Sequence, residues 1–248
     1  MTSPEKLSIH LFLDEFFLSK SNQLISGVQS DFSKLGSLIS SNIPKKRNEQ
    51  YQIECIAFEY PSVFVPNKYF RQSTPIDYIK NFCQKPSNYS CSYNLIQKHN
   101  LINVFYTSDR LDSLSEELKT ELKSVHAWDK IYHFLTRNIG KIHSDNKLVV
   151  FFQSRYLDLF FFKGKKFCGA NRFEYESETE LIYILLCFIE ANNLSYRNLA
   201  IVPIGKQEKY VPIYNSLKDY FKIEYFNNEI IPTEATHSIY HYPWYLFS

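Results

Sequence analysis

The chain has 248 residues, a formal net charge of +2, and 44% hydrophobic against 22% charged residues. That length holds one large domain or two moderate ones, and the balance excludes an intrinsically disordered chain. The small net charge excludes a strong electrostatic bias toward nucleic acid or an anionic membrane, and no apolar run approaches the ~18 residues that span a bilayer.

Leu7, Ile9, Leu11 and Leu13 alternate with Ser8, His10 and Phe12, which predicts a strand with one buried face. Asp14-Glu15 reads as a turn, Phe16 and Leu18 continue on a return strand, and Ser21-Asn22 turns into a third strand over 24–28. Phe32, Leu35, Leu38 and Ile39 have helical spacing, and residues 43–49 form a polar loop that includes Lys45-Lys46-Arg47. Strands are predicted over 51–59, 62–65, 90–97 and 101–107, with a helix over 75–82 among them. Ser113 and Glu116 have the spacing of a capping box, which predicts a helix carrying Leu114, Leu118 and Leu122 on one stripe. A change of composition over 124–128 sets the expected boundary between an N-terminal half, 1–125, and a C-terminal half, 126–248.

The second half opens on a predicted helix over 129–139 with Ile131, Phe134, Leu135 and Ile139 apolar. Residues 148–152 are apolar on both faces, as in a central strand covered by helices on each side. Strands over 157–162 and 165–173 follow, joined at Lys163-Gly164. Ser177 and Glu180 make a second capping box ahead of a helix over 181–190. A buried strand over 199–202, a helix marked by Val211, Tyr214, Leu217 and Phe221, and a strand over 223–226 complete the pattern. A three-strand meander, a helix, a strand and a helix thus recur in each half.

Six glycines in 248 residues are few, since average usage is about 7%. Gly27, Gly36, Gly140, Gly164, Gly169 and Gly205 are scattered with no G-x-G pair, which argues against a loop that cradles phosphate on bare backbone. The five cysteines lack C-x-x-C spacing, and polar residues interrupt the apolar ones near the N-terminus. Reduced thiols in a cytoplasmic protein are therefore expected.

This order of elements is similar to the actin-like ATPase superfamily of sugar kinases, heat-shock ATPases and actin. More closely, the chain resembles a bacterial family of unknown function with a degenerate form of that fold. The residues that carry the resemblance are 148–152 with 157–162, the string K-K-F-C-G-A-N-R-F-E-Y over 165–175 leading into the helix over 180–189, and 201–205 before 214–220. Val63-Phe64-Val65-Pro66 is a weaker match in the first half. The resemblance implies a two-lobed α/β fold of the actin-like ATPase (ribonuclease H-like) type, each lobe a mixed sheet with a three-strand meander plus helices.

Active members of that superfamily hold ATP through three loops, two with an Asp followed by Gly and small hydroxyl residues, and a third with a Gly-Gly turn. At the first corresponding turn Asp14 keeps the acid, but Phe16 stands in the place of glycine. The second reads Phe152-Gln153-Ser154-Arg155-Tyr156, with neither acid nor glycine, and the third keeps Gly205 alone after Pro203. The degenerate cleft positions are thus Asp14, Phe16, Ser154, Arg155 and Gly205. Phosphoryl transfer depends on positioning and charge stabilisation around a metal-bound phosphate, so the expectation is a pseudo-ATPase. It has no catalytic residue, metal or cofactor, and it works by binding a protein partner or as a scaffold, with homo-oligomer formation open. The alternative is a kinase or ATPase with remodelled loops, using Asp14, Arg155 or Lys206, and Asp158 as a second acid.

Other constellations read as structural. His237 and His241 are four apart but lie in the aromatic tail, 240–247, and His126, His133 and His143 have irregular spacing. Cys187 sits in the apolar stretch of the second capped helix and is expected in the core.

Overall fold

The computed structural model describes residues 7–12, 15–20, 23–28, 34–42, 53–153, 155–204 and 211–226. The chain separates into two compact units, Met1–Asp129 and Lys130–Ser248.

In the first unit β1 (Leu7–Leu11), β2 (Glu15–Lys20) and β3 (Gln23–Val28) form an antiparallel meander. On the other side of β1, β4 (Ile53–Ala57) and then β8 (Leu122–His126) add in parallel, giving the sheet order β3-β2-β1-β4-β8. The alternation read from the sequence places Leu7, Ile9 and Leu11 in the core. They pack there with Phe16 and Leu18 of β2, Leu35 and Ile39 of α1 (Leu35–Asn42), and Leu111 and Leu114 of α3 (Arg110–Leu118). Between β4 and β8 the chain builds a small antiparallel sheet from β5 (Ser62–Pro66), β6 (Tyr89–Ile96) and β7 (Leu101–Ser108), in the order β5-β7-β6. With α2 (Ile76–Ile79), it buries Val65, Ile79, Ile102, Val104 and Tyr106.

The capping box expected at Ser113 is not formed. Helix α3 begins at Arg110 with Asp109 in the N-cap position, so Ser113 lies inside the helix. It ends where Lys119 turns left-handed (φ 50°) and Thr120 N–H donates to Ser115 O at 3.2 Å. Leu122, expected on the helix stripe, begins β8 instead. There it pairs with Ile53 of β4, and tertiary strand pairing outweighs local helical spacing.

In the second unit β9 (Asn146–Phe152), β10 (Tyr156–Lys163) and β11 (Lys166–Glu174) form the meander. Strand β12 (Leu199–Ile204) runs parallel beside β9 and β13 (Lys222–Ile223) beside β12, so the order is β11-β10-β9-β12-β13. Numbered within each sheet, both units have the order 3-2-1-4-5. Leu148, Val150, Phe152, Leu157 and Leu159 face Leu181, Leu185 and Ile189 of α5 (Glu178–Ala191) and Ile213, Tyr214 and Leu217 of α6 (Val211–Lys218). Helix α4 (Ala127–Asn138) brings Tyr132 edge-on to Phe167 at 4.9 Å and Phe134 to Phe226 at 5.2 Å. The Ser177 half of the second capping box forms as expected, with Ser177 Oγ accepting from Glu180 N at 3.2 Å, while Glu180 Oε2 reaches one residue further back and accepts from Glu176 N at 2.8 Å. At the end of β13, Glu224 accepts from His143 N at 2.9 Å, from Ser144 Oγ, and from Lys222 Nζ at 2.8 Å.

Candidate functional site

Among the described residues of the second unit, a densely bonded polar group surrounds the turn from β9 to β10. Gln153 N–H donates to Tyr156 O at 2.8 Å, closing the turn, and the Gln153 side chain is folded inward rather than outward. Its Nε2 donates to Asp158 Oδ2 at 2.8 Å. Asp158 is on the opposite face of β10 from Leu157 and Leu159 and is fully buried. Across the hairpin it stands directly opposite Arg172 of β11. The guanidinium forks onto the carboxylate, Nε to Oδ1 at 2.6 Å and Nη2 to Oδ2 at 2.8 Å, with both side chains almost wholly buried. Its central carbon lies 5.2 Å from the centre of the Tyr156 ring. Tyr175 OH donates to Gln153 O at 2.6 Å, and Tyr175 N–H donates to Arg155 O at 3.0 Å.

Arg155 lies at the surface in an exposed ion pair with Glu174 at 2.6 Å, side chains 59% and 53% exposed, of the kind that contributes about 0–1 kcal/mol. Ser154 is outside the described residues. Asp158, considered as a metal-organising acid, has both carboxylate oxygens engaged by Arg172, and one of them also by Gln153. A buried carboxylate so held is a structural anchor, since removing one partner of such a pair costs about 3–5 kcal/mol.

At the first turn Asp14 is outside the described residues, as is Gly205 at the third, with Lys206 beside it. Phe16 is fully buried in the core of its own unit, opposite Leu11 in the β1–β2 register, so its bulk serves lobe packing. Next to it, Phe17 meets Phe12 edge-on at 5.5 Å, and Phe12 stacks on Phe58 at 4.5 Å. Pro203 is buried within β12, opposite Val150.

His126 is engaged in the fold of the first unit. Trp128 N–H donates to His126 Nδ1 at 3.1 Å, so Nε2 carries the proton it gives to Tyr60 O at 2.8 Å. His237, His241 and the aromatic tail are outside the described residues. Among the described residues no group of three or more His, Cys, Asp or Glu side chains is arranged to hold a metal ion. Burial pushes the Cys55 thiol up to about 12, with Glu54 adding to the effect, which leaves it a poor nucleophile. Cys187 departs from expectation. It is exposed, on the side of α5 that faces β11, because the apolar run of α5 is wider than the stripe the core can cover. It lines an apolar groove of about 580 Å³ with Phe161, Phe173, Tyr183, Ile184 and Phe188. Nothing in the residue spacing distinguished this groove from the core.

Two meanders of identical strand order, each continued by parallel strands and helices, define the actin-like ATPase fold. A protein of Bacteroides thetaiotaomicron with that fold and unknown function superposes with a TM-score of 0.74 at 16% identity, covering 92% of each chain. A type IV pilus biogenesis complex, PilM–PilN, contains a chain that superposes with a TM-score of 0.55 at 11% identity, over 90% of this chain and 88% of that one. The chain belongs to the family described as protein of unknown function (DUF3822), whose model matches residues 30–223. No curated protein matches it. Among the described residues, no helix is long and apolar enough to cross a membrane.

Proposed function

We propose that this protein is a cytoplasmic, non-catalytic member of the actin-like fold, with lobes 1–125 and 126–248, that binds a protein partner or serves as a scaffold. One observation carries the reading. At the β9–β10 turn the described polar side chains bond to one another: Gln153 to Asp158, Asp158 to Arg172, Arg155 to Glu174. A phosphate loop needs the reverse, a free carboxylate for metal-bound water and unobstructed amides turned to the ligand. The likeness to a chain of the PilM–PilN complex is in keeping with work done through a partner.

The direct test is a thermal melt with and without Mg-ATP. A ligand at about 100 times its Kd stabilises by about 2.7 kcal/mol, which raises Tm by several degrees in a chain of this size. No shift is expected. A saturable rise that disappears in Asp14→Ala would sink the proposal and establish a nucleotide site.

A further inference from the structure

The sheet β5-β7-β6, inserted between β4 and β8, carries a charge balance unlike the rest of the chain. From Ser62 to Ser108 it has the cations Lys68, Arg71, Lys80, Lys85 and Lys98 and a single acid, Asp77. Lys80 pairs with Asp77 at 2.5 Å. Among the described residues none of Lys68, Arg71 and Lys98 takes part in an ion pair. The fold gathers these three at one end of the sheet. Asn67 N–H donates to Asn100 O at 2.7 Å, which sets the 3-10 turn Asn67–Tyr69 beside the left-handed turn at Asn100 (φ 51°) that joins β6 to β7. Phe70 then packs on Tyr93 of β6 at 4.8 Å. Tyr78 OH ties the turn down, donating to Tyr69 O at 2.5 Å and accepting from Arg71 N–H at 2.9 Å. Leu95 lies on the Tyr93 side of β6, two residues nearer that end. Tyr69 and Leu95 are 62% and 49% exposed, so two apolar side chains stand among three cations on backbone held by hydrogen bonds.

We propose, resting on the partner-binding reading, that this end of the sheet docks an acidic segment of a partner protein with apolar side chains between its carboxylates. Charge complementarity selects that occupant. Cations without ion pairs, set around an apolar centre, match carboxylates spaced along an apolar strip, and Arg71 can take one of them in a two-pronged bond. Tyr and Arg are also residue types enriched where proteins meet. Single-stranded nucleic acid needs open rings on which bases stack. Here Lys68 Nζ takes one face of the Tyr69 ring, 4.6 Å from its centre, and Leu95 offers no ring. An anionic bilayer is recognised by clusters of about four to eight Lys or Arg, more than are gathered here.

A library of random short peptides selected on the full chain supplies the probe. The best binder is then measured by fluorescence anisotropy at physiological salt, where only nearby charges act. Recovered peptides should be enriched in Asp and Glu interleaved with apolar residues. The combined change Lys68→Glu, Arg71→Glu and Lys98→Glu should weaken the binder at least ~100-fold. Tyr69→Ala should weaken it by about 10-fold. Melts should be unchanged, because all four side chains are exposed. Lys85→Glu, near Cys91 in the first half of β6, should leave affinity within about 2-fold. Recovered peptides without acidic enrichment, or a binder indifferent to the triple variant, overturn the proposal. So does an oligothymidylate strand or a phosphatidylserine vesicle that binds more tightly than the peptide and is lost in the triple variant. These failures are independent of the Mg-ATP melt, whose shift strikes the partner-binding reading itself.

Discussion

The two sheets share one strand order and bury the core face of the opening meander alike, yet they fill its other face differently. Phe16, opposite Leu11, and Leu157, opposite Phe152, take equivalent places, and both enter an apolar core. At the next residue the units part: Phe17 meets Phe12 edge-on, whereas Asp158 accepts from Gln153 and from a fork of Arg172. The same topology therefore carries an aromatic contact at that position in one unit and a buried charge pair in the other. Strand order does not specify the chemistry at a turn, and a fold can keep its form while the residues at its loops change purpose.

Single truncations should break this comparison most visibly. Phe16→Ala leaves a ring-sized cavity and is expected to cost about 3–5 kcal/mol in chemical denaturation. Asp158→Ala strands a buried guanidinium and should cost a similar ~3–5 kcal/mol. The double change Asp158→Leu with Arg172→Leu separates the two cases, because a well-packed apolar pair is expected to be neutral or to stabilise by about 1–4 kcal/mol. If the double variant is as unstable as Asp158→Ala, the polar network does more than replace apolar packing.

A smaller effect tests how β13 is tied to the loop before β9. Burial works to raise the Glu224 carboxyl, but hydrogen bonds from Lys222, Ser144 and the His143 amide overcome it and hold it at about 2, down from an ordinary 4.5. A carboxyl depressed in the folded state binds its proton more readily when unfolded. Its contribution is thus fully present above pH 4.5 and is lost as pH falls toward 2. Glu224→Gln should destabilise by about 1–3 kcal/mol at neutral pH, and the gap to wild type should close over that acid range in pH-dependent melts. The smallest effect concerns α5, where Ser177→Ala should cost about 1 kcal/mol by removing the acceptor for Glu180 N–H.

Both meanders, the sheet-covering helices and the Ser177 cap were legible because each rests on a local repeat or a short-range bond. Strand β8 was not, because Leu122 continues the spacing of Leu114 and Leu118, and only pairing with β4 makes it a strand. The exposure of Cys187 was hidden likewise, since an apolar helix does not announce which of its sides the core leaves uncovered.

By itself the sequence determined the fold class, the paired meanders and the loss of glycine from the phosphate turns, all of which follow from periodicity and from the backbone freedom that side chains remove. The tertiary structure alone decided the Asp158–Arg172 pair. Counting outward from the Lys163–Lys166 pair sets Asn171 across from Asp158, but the register shifts between Phe161 and Phe162 and carries Arg172 there instead. A bulge is a product of how strands twist and pack together, so no spacing along the chain encodes the partner it selects.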